Sequence, residues 1–183
     1  MFQKLVSIII FFLISPIIII ISLLILFFDG RPVFYTQKRI GKDNRNFKMY
    51  KFRTMKNGVG DIPTSHVINP DSMLTFTGKL LRKYSIDEFP QLLNVIKGDM
   101  SLIGYRPCLP NETDLINFRK KFNLTDYKPG MTGWAQINGR DKLSVEEKSA
   151  YDYYYYKNKS LFLDFKIIIL TIYVVVFKKD ISH

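Results

Sequence analysis

The chain opens on a long apolar segment. From Leu5 to Phe28 there is no charged residue, and Ile, Leu and Phe dominate. Because about 20 apolar residues cover the hydrocarbon core of a bilayer, this segment is long enough to enter a membrane. A secretory signal has an apolar region of about 7–15 residues and a small-residue cleavage site. This run is longer and leads into Phe27–Arg31, which lacks such a site, so a retained membrane helix is favoured over a signal peptide.

Ser15 and Pro16 interrupt the apolar segment near its middle. Proline removes a backbone donor and clashes with the preceding turn, so it kinks or breaks a helix. Two topologies follow: a spanning helix that tolerates the proline, or a re-entrant helix that bends there and returns to the side it came from. Lys4 precedes the segment and Arg31 follows it, so the positive-inside rule prefers both ends in the cytoplasm. On these features alone the two topologies weigh equally.

Beyond the apolar segment, short aromatic-rich stretches alternate with amphipathic ones. Partial period-two alternation on either side of a polar segment predicts a β-hairpin from residues 33–40 and 47–55. Glycines and prolines over residues 57–72 predict an irregular loop. Helical patterns then predict four helices, at residues 73–83, 87–97, 111–122 and 144–156. The second should end in a left-handed cap at Gly98, and the fourth should begin with a capping box. A short strand is predicted at 134–137, before a tight turn at Asn138–Gly139.

The last segment, residues 161–177, is apolar apart from three polar positions. With these polar positions, the segment is only marginally suited to cross the membrane as a helix. A helix that lies in the membrane interface, with Tyr153–Tyr156 and Lys178–Lys179 near the headgroups, is the favoured interpretation. We therefore predict a helix-rich α/β protein in which residues 1–29 form the membrane helix and residues 30–183 form one domain outside the hydrocarbon core.

Charge narrows the classes of partner. The formal net charge is +11, from 27 Lys and Arg against 16 acids. Nucleic-acid binders and proteins at anionic membranes both show such an excess, but beside an apolar anchor the membrane surface is the simpler explanation. The one cysteine, Cys108, allows no internal disulfide and fits a reducing compartment. His66 and His183 are too few and too far apart in sequence to indicate a zinc site.

Asp87 and Glu88 carry the strongest candidate chemistry. Pro90 is tolerated in a helix only within the first turn, which places both acids at the positive end of the predicted helix. Taken alone, they are best interpreted as capping and dipole residues. Arg82 and Arg106 lie nearby in sequence and favour a functional role. The helix dipole keeps Asp87 ionised, as a carboxylate nucleophile or a Mg²⁺ ligand must be.

Other basic and glycine-bearing segments are candidates for phosphate contacts. Arg106 lies in a proline turn, and the planar fork of arginine matches phosphate oxygens. Lys51 and Arg53 lie on the second predicted strand, where a solvated strand face is the alternative. Pro129–Gly133 and Asn138–Arg140 are loops whose backbone can approach a diphosphate, although their spacing matches neither a P-loop nor a dinucleotide motif. Each of these segments, taken alone, is more often an ordinary surface or turn.

Read together, these residues resemble the bacterial sugar transferase family, the monotopic phosphoglycosyl transferases that initiate glycan assembly on a polyprenol carrier. The length of 183 residues resembles the minimal form of that family. The resemblance runs in order through nearly the whole chain. The matching segments are Gly30–Phe34, Tyr50–Met55, Arg82, Ser85–Gln91, Asn94–Pro107, Pro129–Arg140 and Asp164.

The resemblance implies transfer of a sugar phosphate from a nucleoside diphosphate sugar, usually a UDP-sugar, to undecaprenyl phosphate, with release of UMP. It implies that Asp87 is the nucleophile of a phosphosugar-aspartyl intermediate and a Mg²⁺ ligand, and that Glu88 assists the acceptor phosphate. It also implies a re-entrant bend at Ser15 and Pro16. The expected substrate- and phosphate-binding residues are Lys51, Arg53, Arg82, Arg106, Gln136, Asn138 and Arg140.

Two departures from the family pattern stand out. The first turns of the membrane helix, at Lys4–Ile8, lack the Arg and Asp that are usual in the family. The usual Gly-Pro-Arg-Pro is replaced by Gly104–Pro107, in which tyrosine takes the place of the first proline. This replacement predicts a looser turn.

The sequence thus predicts a monotopic enzyme of the bacterial inner membrane with a re-entrant helix (residues 1–29), a cytoplasmic catalytic domain (residues 30–183) and an interfacial C-terminal helix (about 161–177). The expected partners are polyprenyl phosphate, a nucleotide sugar and membrane lipids. The sequence is also compatible with a homodimer, and nucleic acid is not expected as a partner. Two alternatives remain: a membrane-anchored basic module that binds anionic lipid or nucleic acid without catalysis, and a bitopic enzyme with a periplasmic N-terminus.

Overall fold

The structure, a computed structural model, describes residues 2–58, 70–139 and 142–177. These ranges form a helix-rich α/β protein, as predicted, with two two-stranded sheets, of which only the hairpin was predicted. The elements are α1 (Phe2–Phe28), β1 (Phe34–Ile40), β2 (Asn46–Phe52), α2 (Phe76–Lys83), a 3-10 helix (Ile86–Gln91), α3 (Leu92–Lys97), β3 (Ser101–Ile103), α4 (Thr113–Lys121), β4 (Gly130–Thr132), α5 (Trp134–Ile137), α6 (Val145–Lys157) and α7 (Leu161–Phe177), with shorter 3-10 turns at Lys42–Asn44, Pro70–Met73 and Leu124–Asp126.

The N-terminal apolar segment is one helix that continues through Pro16. The hydroxyl of Ser15 donates to the Phe12 carbonyl at 2.8 Å, a local hydrogen bond on the turn that precedes the proline. By length and composition, Gln3–Phe28 is able to cross a membrane. One stripe of α1 is buried against the rest of the chain, while most of its other large side chains are exposed. The buried stripe consists of Ser7, Ile18, Ile21 and Ile25.

The predicted hairpin is confirmed. β1 and β2 are antiparallel, with Phe34 opposite Phe52 and Ile40 opposite Asn46. Phe52 is buried in a cluster with Ile25 of α1 and with Leu81 of α2, so the end of the hairpin packs against both helices.

The second sheet is parallel and joins distant parts of the chain. Ser101 pairs with Gly130, and Ile103 pairs with Thr132. A Cβ at Gly130 would lie 2.1 Å from the backbone nitrogen of Gly104, so only glycine allows the two segments to approach this closely.

The strand predicted at 134–137 is wrong, because these residues form α5. The strand lies earlier in the chain, at β4 (Gly130–Thr132). Trp134 and Ile137 are three residues apart and therefore share a face of the helix, which packs against Tyr155 and Ile167. In a segment of four residues, helical spacing and strand alternation are hard to separate from sequence.

The other predicted helices form with shifted ends. Ser144 and Glu147 make both hydrogen bonds of the predicted capping box, and Gly98 adopts the predicted left-handed cap with φ 94°. The helix predicted at 87–97 begins as the 3-10 helix and continues as α3. Most of the loop predicted over 57–72 lies outside the described residues.

Helix α7 has the predicted bounds and presents a second apolar surface. Leu163 and Ile167 are buried against Ile103 and Tyr155. Other large side chains of α7 are exposed, among them Phe162 at 80%. α1 and α7 therefore each have one face in the core and one apolar face outside it.

A buried ion pair joins α4 to α6. Arg119 Nη2 lies 3.1 Å from Asp152 Oδ2, and both side chains are almost fully buried. The guanidinium lies 4.3 Å from the ring centroid of Tyr105. Burial raises the pKa of Asp152 to about 6, against the lowering effect of Arg119. Each charge depends on the other, because an unpaired charge in this position would have lost its hydration without compensation.

We expect Asp152→Ala to lower the free energy of unfolding by about 3–5 kcal/mol, since it leaves the Arg119 charge buried and unpaired. Thermal unfolding in detergent measures the loss. Glu146→Ala, which removes an exposed carboxylate from the same helix, should change stability much less. Equal effects of the two substitutions would contradict the structural role of the pair.

Candidate active site

The acidic pair lies in a sharp reversal between α2 and α3. Ser85 adopts a left-handed conformation, with φ 53°, and turns the chain into the 3-10 helix that carries Asp87 and Glu88. The backbone nitrogen of Ser85 donates to the Arg82 carbonyl at 3.0 Å, which fixes this turn. Since a 3-10 helix has about three residues per turn, neighbouring side chains diverge by about 120°. The two side chains therefore leave the helix in different directions, although both carboxylates reach the same lysine ammonium group.

Three cations surround the acidic pair. Lys51 Nζ, from β2, lies 2.9 Å from Glu88 Oε1 and 3.9 Å from Asp87 Oδ2. Arg106 Nη1 lies 3.5 Å from the same Glu88 oxygen. The side chains of Asp87 and Glu88 are 9% and 13% exposed, whereas that of Arg106 is 33% exposed. Of the side chains of Lys51, Asp87, Glu88 and Arg106, that of Arg106 is thus the most open to a ligand.

Arg82 is the third cation. Its Nε donates to Thr54 Oγ1 at 3.0 Å. Burial lowers the pKa of Arg82, while the negative charges of Asp87 and Glu88 act in the opposite direction. The guanidinium therefore lies within the field of both carboxylates. Residues from β2, α2, the 3-10 helix and the turn after β3 converge here, although they are far apart in sequence.

The structure thus brings together five of the predicted site residues, Lys51, Arg82, Asp87, Glu88 and Arg106. Comparison with known proteins then assigns the chain to a family. The family model for bacterial sugar transferases matches residues 1–178. The chain belongs to this family. The prediction of an enzyme of the sugar transferase class is thereby confirmed.

Individual relatives are named as sugar transferases or as exopolysaccharide production proteins. The chain is 46% identical over 155 residues to an uncharacterized sugar transferase, EpsL, of Bacillus subtilis, covering 84% of this chain and 75% of that protein. It is 40% identical over 175 residues to the exopolysaccharide production protein ExoY of Rhizobium meliloti, covering 87% and 77%. It is 36% identical over 168 residues to the UDP-glucose:undecaprenyl-phosphate glucose-1-phosphate transferase of Escherichia coli, covering 88% of this chain but 36% of that protein.

The turn that carries Arg106 is held by residues that sequence reasoning missed. Arg39 Nη1 donates to the Pro107 carbonyl at 3.2 Å, and the Ile40 nitrogen donates to the Cys108 carbonyl at 3.0 Å. Burial, and next the positive charge of Arg106, lower the pKa of Arg39 to about 10. Arg39 thus remains charged at neutral pH. The only sequence signal was its place at the end of β1, which does not reveal its distant partners.

Tyr105 anchors the same turn in place of the family's usual proline. Its side chain is buried, and its hydroxyl donates to the Tyr127 carbonyl at 2.9 Å. Burial raises the pKa of Tyr105, so the hydroxyl keeps its proton and remains a donor. The turn was predicted to be looser, but this tertiary hydrogen bond supplies a restraint that a proline ring would otherwise give.

Arg53 is buried and bound to the end of the membrane helix. Its Nη2 donates to the carbonyls of Asp29 at 2.6 Å and Gly30 at 2.7 Å, and its Nη1 donates to that of Arg31 at 2.8 Å. Nη1 also donates to Asn57 Oδ1 at 2.7 Å. The guanidinium thus caps the carbonyls that follow α1. Its predicted phosphate contact stays a prediction, beside an evident structural role.

The remaining predicted ligands lie on and after α5. The amide atoms of Gln136 are buried without a hydrogen-bond partner among the described residues. Asn138 Nδ2 donates to the Trp134 carbonyl at 2.7 Å and caps α5. Arg140 lies outside the described residues. Within the described ranges, no hydrogen bond connects Gln136 or Asn138 to the acidic pair.

A divalent cation would have few protein ligands here. The part of the chain that the structure describes contains no group of three or more His, Cys, Asp or Glu able to hold a metal. Mg²⁺, however, is commonly bound by one or two carboxylates together with substrate phosphates and water. Asp87, with Glu88 beside it, fits that mode and not an all-protein cage.

Two substitutions at the end of β2, one on the strand and one just after it, separate structure from chemistry. We expect Arg53→Ala to lower the free energy of unfolding by at least about 3 kcal/mol, because hydrogen bonds to charged groups contribute roughly 1.5–3 kcal/mol each. Lys51→Ala should abolish most transfer with a smaller loss of stability. Thermal unfolding and transferase assays on both variants provide the measurement. Normal stability of Arg53→Ala with weaker donor binding would instead support the phosphate contact.

Proposed function

We propose that this chain transfers a sugar phosphate from a UDP-sugar to undecaprenyl phosphate, yielding undecaprenyl-diphosphate-sugar and UMP. The observation that carries the proposal is the acidic pair Asp87 and Glu88 enclosed by Lys51, Arg82 and Arg106. Both substrates bring phosphate to this site, and cations beside carboxylates let an anionic nucleophile approach an anionic phosphate.

The names of relatives support this choice of substrates. Besides the Escherichia coli enzyme, a relative from Aeromonas hydrophila is named for transfer of N-acetylgalactosamine phosphate from its UDP form to undecaprenyl phosphate, and is 39% identical over 165 residues. This chain covers 39% of that relative. Because the similarity extends over 87% of this chain, we assign the same reaction class to it, as the first membrane step of assembling a glycan such as an exopolysaccharide.

In the first proposed step, a carboxylate oxygen of Asp87 attacks the β-phosphorus of the donor. The bond between that phosphorus and the bridging oxygen breaks, and UMP leaves with the bridging oxygen. Arg82 and Arg106 offset the charge on the phosphoryl oxygens, since planar guanidinium groups match phosphate geometry. The sugar phosphate is then held as an acyl phosphate on Asp87.

In the second step, a phosphate oxygen of undecaprenyl phosphate attacks the same phosphorus and releases the Asp87 carboxylate. No net proton transfer is needed, because the nucleophile is already ionised. Glu88 binds both Lys51 and Arg106, so it can orient these cations toward the incoming phosphate. Asp87, with Glu88 beside it, would hold Mg²⁺, and the ion would supply positive charge that stabilises phosphate oxygens.

We also propose a monotopic placement, with a re-entrant α1 and the catalytic part facing the cytoplasm. Toward its C-terminal end, Ile25 of α1 packs against Phe52 and Leu81. Toward its N-terminal end, Ser7 is fully buried, and Val6 lines a cavity together with β3. Contacts at both ends of α1 with the same body support a helix whose ends stay on one side of the membrane.

Asp87→Asn should lower UMP release by roughly 10³-fold or more and abolish the covalent intermediate, because an amide cannot replace the attacking carboxylate. UMP release from UDP-sugars with undecaprenyl phosphate and Mg²⁺, together with intact-mass detection of the phosphosugar adduct, provides the measurement. Asp114→Asn, at an exposed position of α4, is the matched control. Retained function in Asp87→Asn would favour the non-catalytic binding module.

A cysteine placed at Lys4 tests the topology. Cys108 is buried at 3% exposure, so it should react slowly with a membrane-impermeant maleimide. We expect Lys4→Cys to be labelled from the cytoplasmic face, on the same side as a Lys120→Cys reporter on α4. Labelling of the two positions from opposite sides would establish the bitopic alternative.

A further inference from the structure

A cavity of about 720 Å³ opens between the start of α1, β3 and the start of α7. Ligand pockets commonly measure about 300–1,000 Å³, so the cavity is large enough for a lipid headgroup with the upper part of its chains. The five charged residues of the candidate active site do not line it. The cavity is therefore a separate feature of the molecule.

One wall of the cavity is apolar and continuous with the exposed faces of two helices. Val6 from α1 and Leu161, Phe165 and Ile168 from α7 line it. Leu161 and Phe165 are also among the most exposed large apolar side chains of the chain. An acyl chain in this position would pass directly from the cavity to the apolar surfaces of α1 and α7.

The rim of the cavity is basic. Lys42, Lys128 and Lys159 reach it from three different segments, and all three are exposed. In the ranges that the structure describes, none of their ammonium groups forms a hydrogen bond or an ion pair. The carboxylates at the cavity are those of Asp126 and Asp164, and Asp164 accepts a hydrogen bond from the Tyr155 hydroxyl at 2.8 Å.

We propose that this cavity binds an anionic phospholipid of the surrounding bilayer, with the headgroup phosphate among Lys42, Lys128 and Lys159 and one acyl chain along Phe165 and Ile168. Basic pockets between membrane helices bind anionic headgroups in the same way. A zwitterionic lipid would bring its own cation to the lysines and lose most of this attraction. The site goes beyond the transfer reaction and would anchor the ends of α1 and α7 to each other through lipid.

Native mass spectrometry of the full-length protein tests the proposal. Protein in mild detergent is incubated with equal amounts of phosphatidylglycerol and phosphatidylcholine that carry the same acyl chains. We expect one phosphatidylglycerol to be retained in preference to phosphatidylcholine. Lys128→Gln combined with Lys159→Gln should weaken this retention about 30-fold, since each lysine near an anionic lipid surface contributes roughly a factor of five.

The matched control is Lys120→Gln combined with Lys121→Gln, which removes the same charge from exposed positions of α4 and should retain the lipid. Equal loss in both double variants, or equal retention of the two lipids, would overturn the proposal. Displacement by soluble glycerol phosphate would show a site for free phosphate, and preferential retention of undecaprenyl phosphate would show an acceptor site; either result overturns it.

A second variant addresses the apolar wall without changing charge at the rim. Phe165→Ser should weaken phosphatidylglycerol retention while leaving the thermal unfolding temperature close to that of the wild type, since this side chain is exposed. Undiminished retention of phosphatidylglycerol would contradict the proposed contact between its acyl chain and Phe165. UMP release in detergent should be unchanged in the lysine and phenylalanine variants, so failure of the lipid site is distinguishable from failure of the transferase assignment.

Discussion

The capping of the membrane helix by Arg53 is the interaction on which the rest of the structure depends. Its guanidinium binds the carbonyls of residues 29–31, just beyond α1. Asp29 in turn accepts hydrogen bonds from the backbone nitrogens of Phe76 and Thr77 and from the Thr77 hydroxyl, so it caps the start of α2. α2 carries Arg82 toward the acidic pair. The position of α1 is thereby coupled, through two caps, to the position of a cation of the candidate active site.

The acidic pair illustrates why such rigid support is needed. Glu88 is only 13% exposed and is shared by Lys51 and Arg106, which come from a strand and a distant turn. A partly buried carboxylate is stable only with partners held in place, and the same partners must remain able to bind phosphate. Arg39 and Tyr105 hold the Arg106 turn from two directions. Arg39 and Tyr105, which lie outside the cluster, therefore help to hold the partner that stabilises the partly buried Glu88 carboxylate.

Features that depend on local sequence were predictable, and features that depend on distant pairing were not. The hairpin, the Ser144 capping box and the Gly98 cap each follow from residues within a few positions of one another. The error at residues 134–137 arose because the true strand is defined by Gly130 approaching Gly104, a contact that no local pattern reveals. Likewise, the charge of Arg53 was visible in the sequence, but its carbonyl partners lie 22–24 residues away. Family resemblance brought the acidic pair and its arginines together where spacing alone favoured simple helix capping.

The one-sided packing of α1 and α7 has a thermodynamic consequence. Each helix buries a single stripe and leaves apolar side chains such as Leu13 and Phe162 more than 70% exposed. Soluble monomers rarely expose contiguous apolar surface beyond a few hundred Å², so this surface requires a lipid or protein cover. A cover that binds only the folded state stabilises it by mass action. Since Arg53 couples α1 to α2, which carries Arg82, a bilayer that stabilises α1 should also hold Arg82 in place beside the acidic pair.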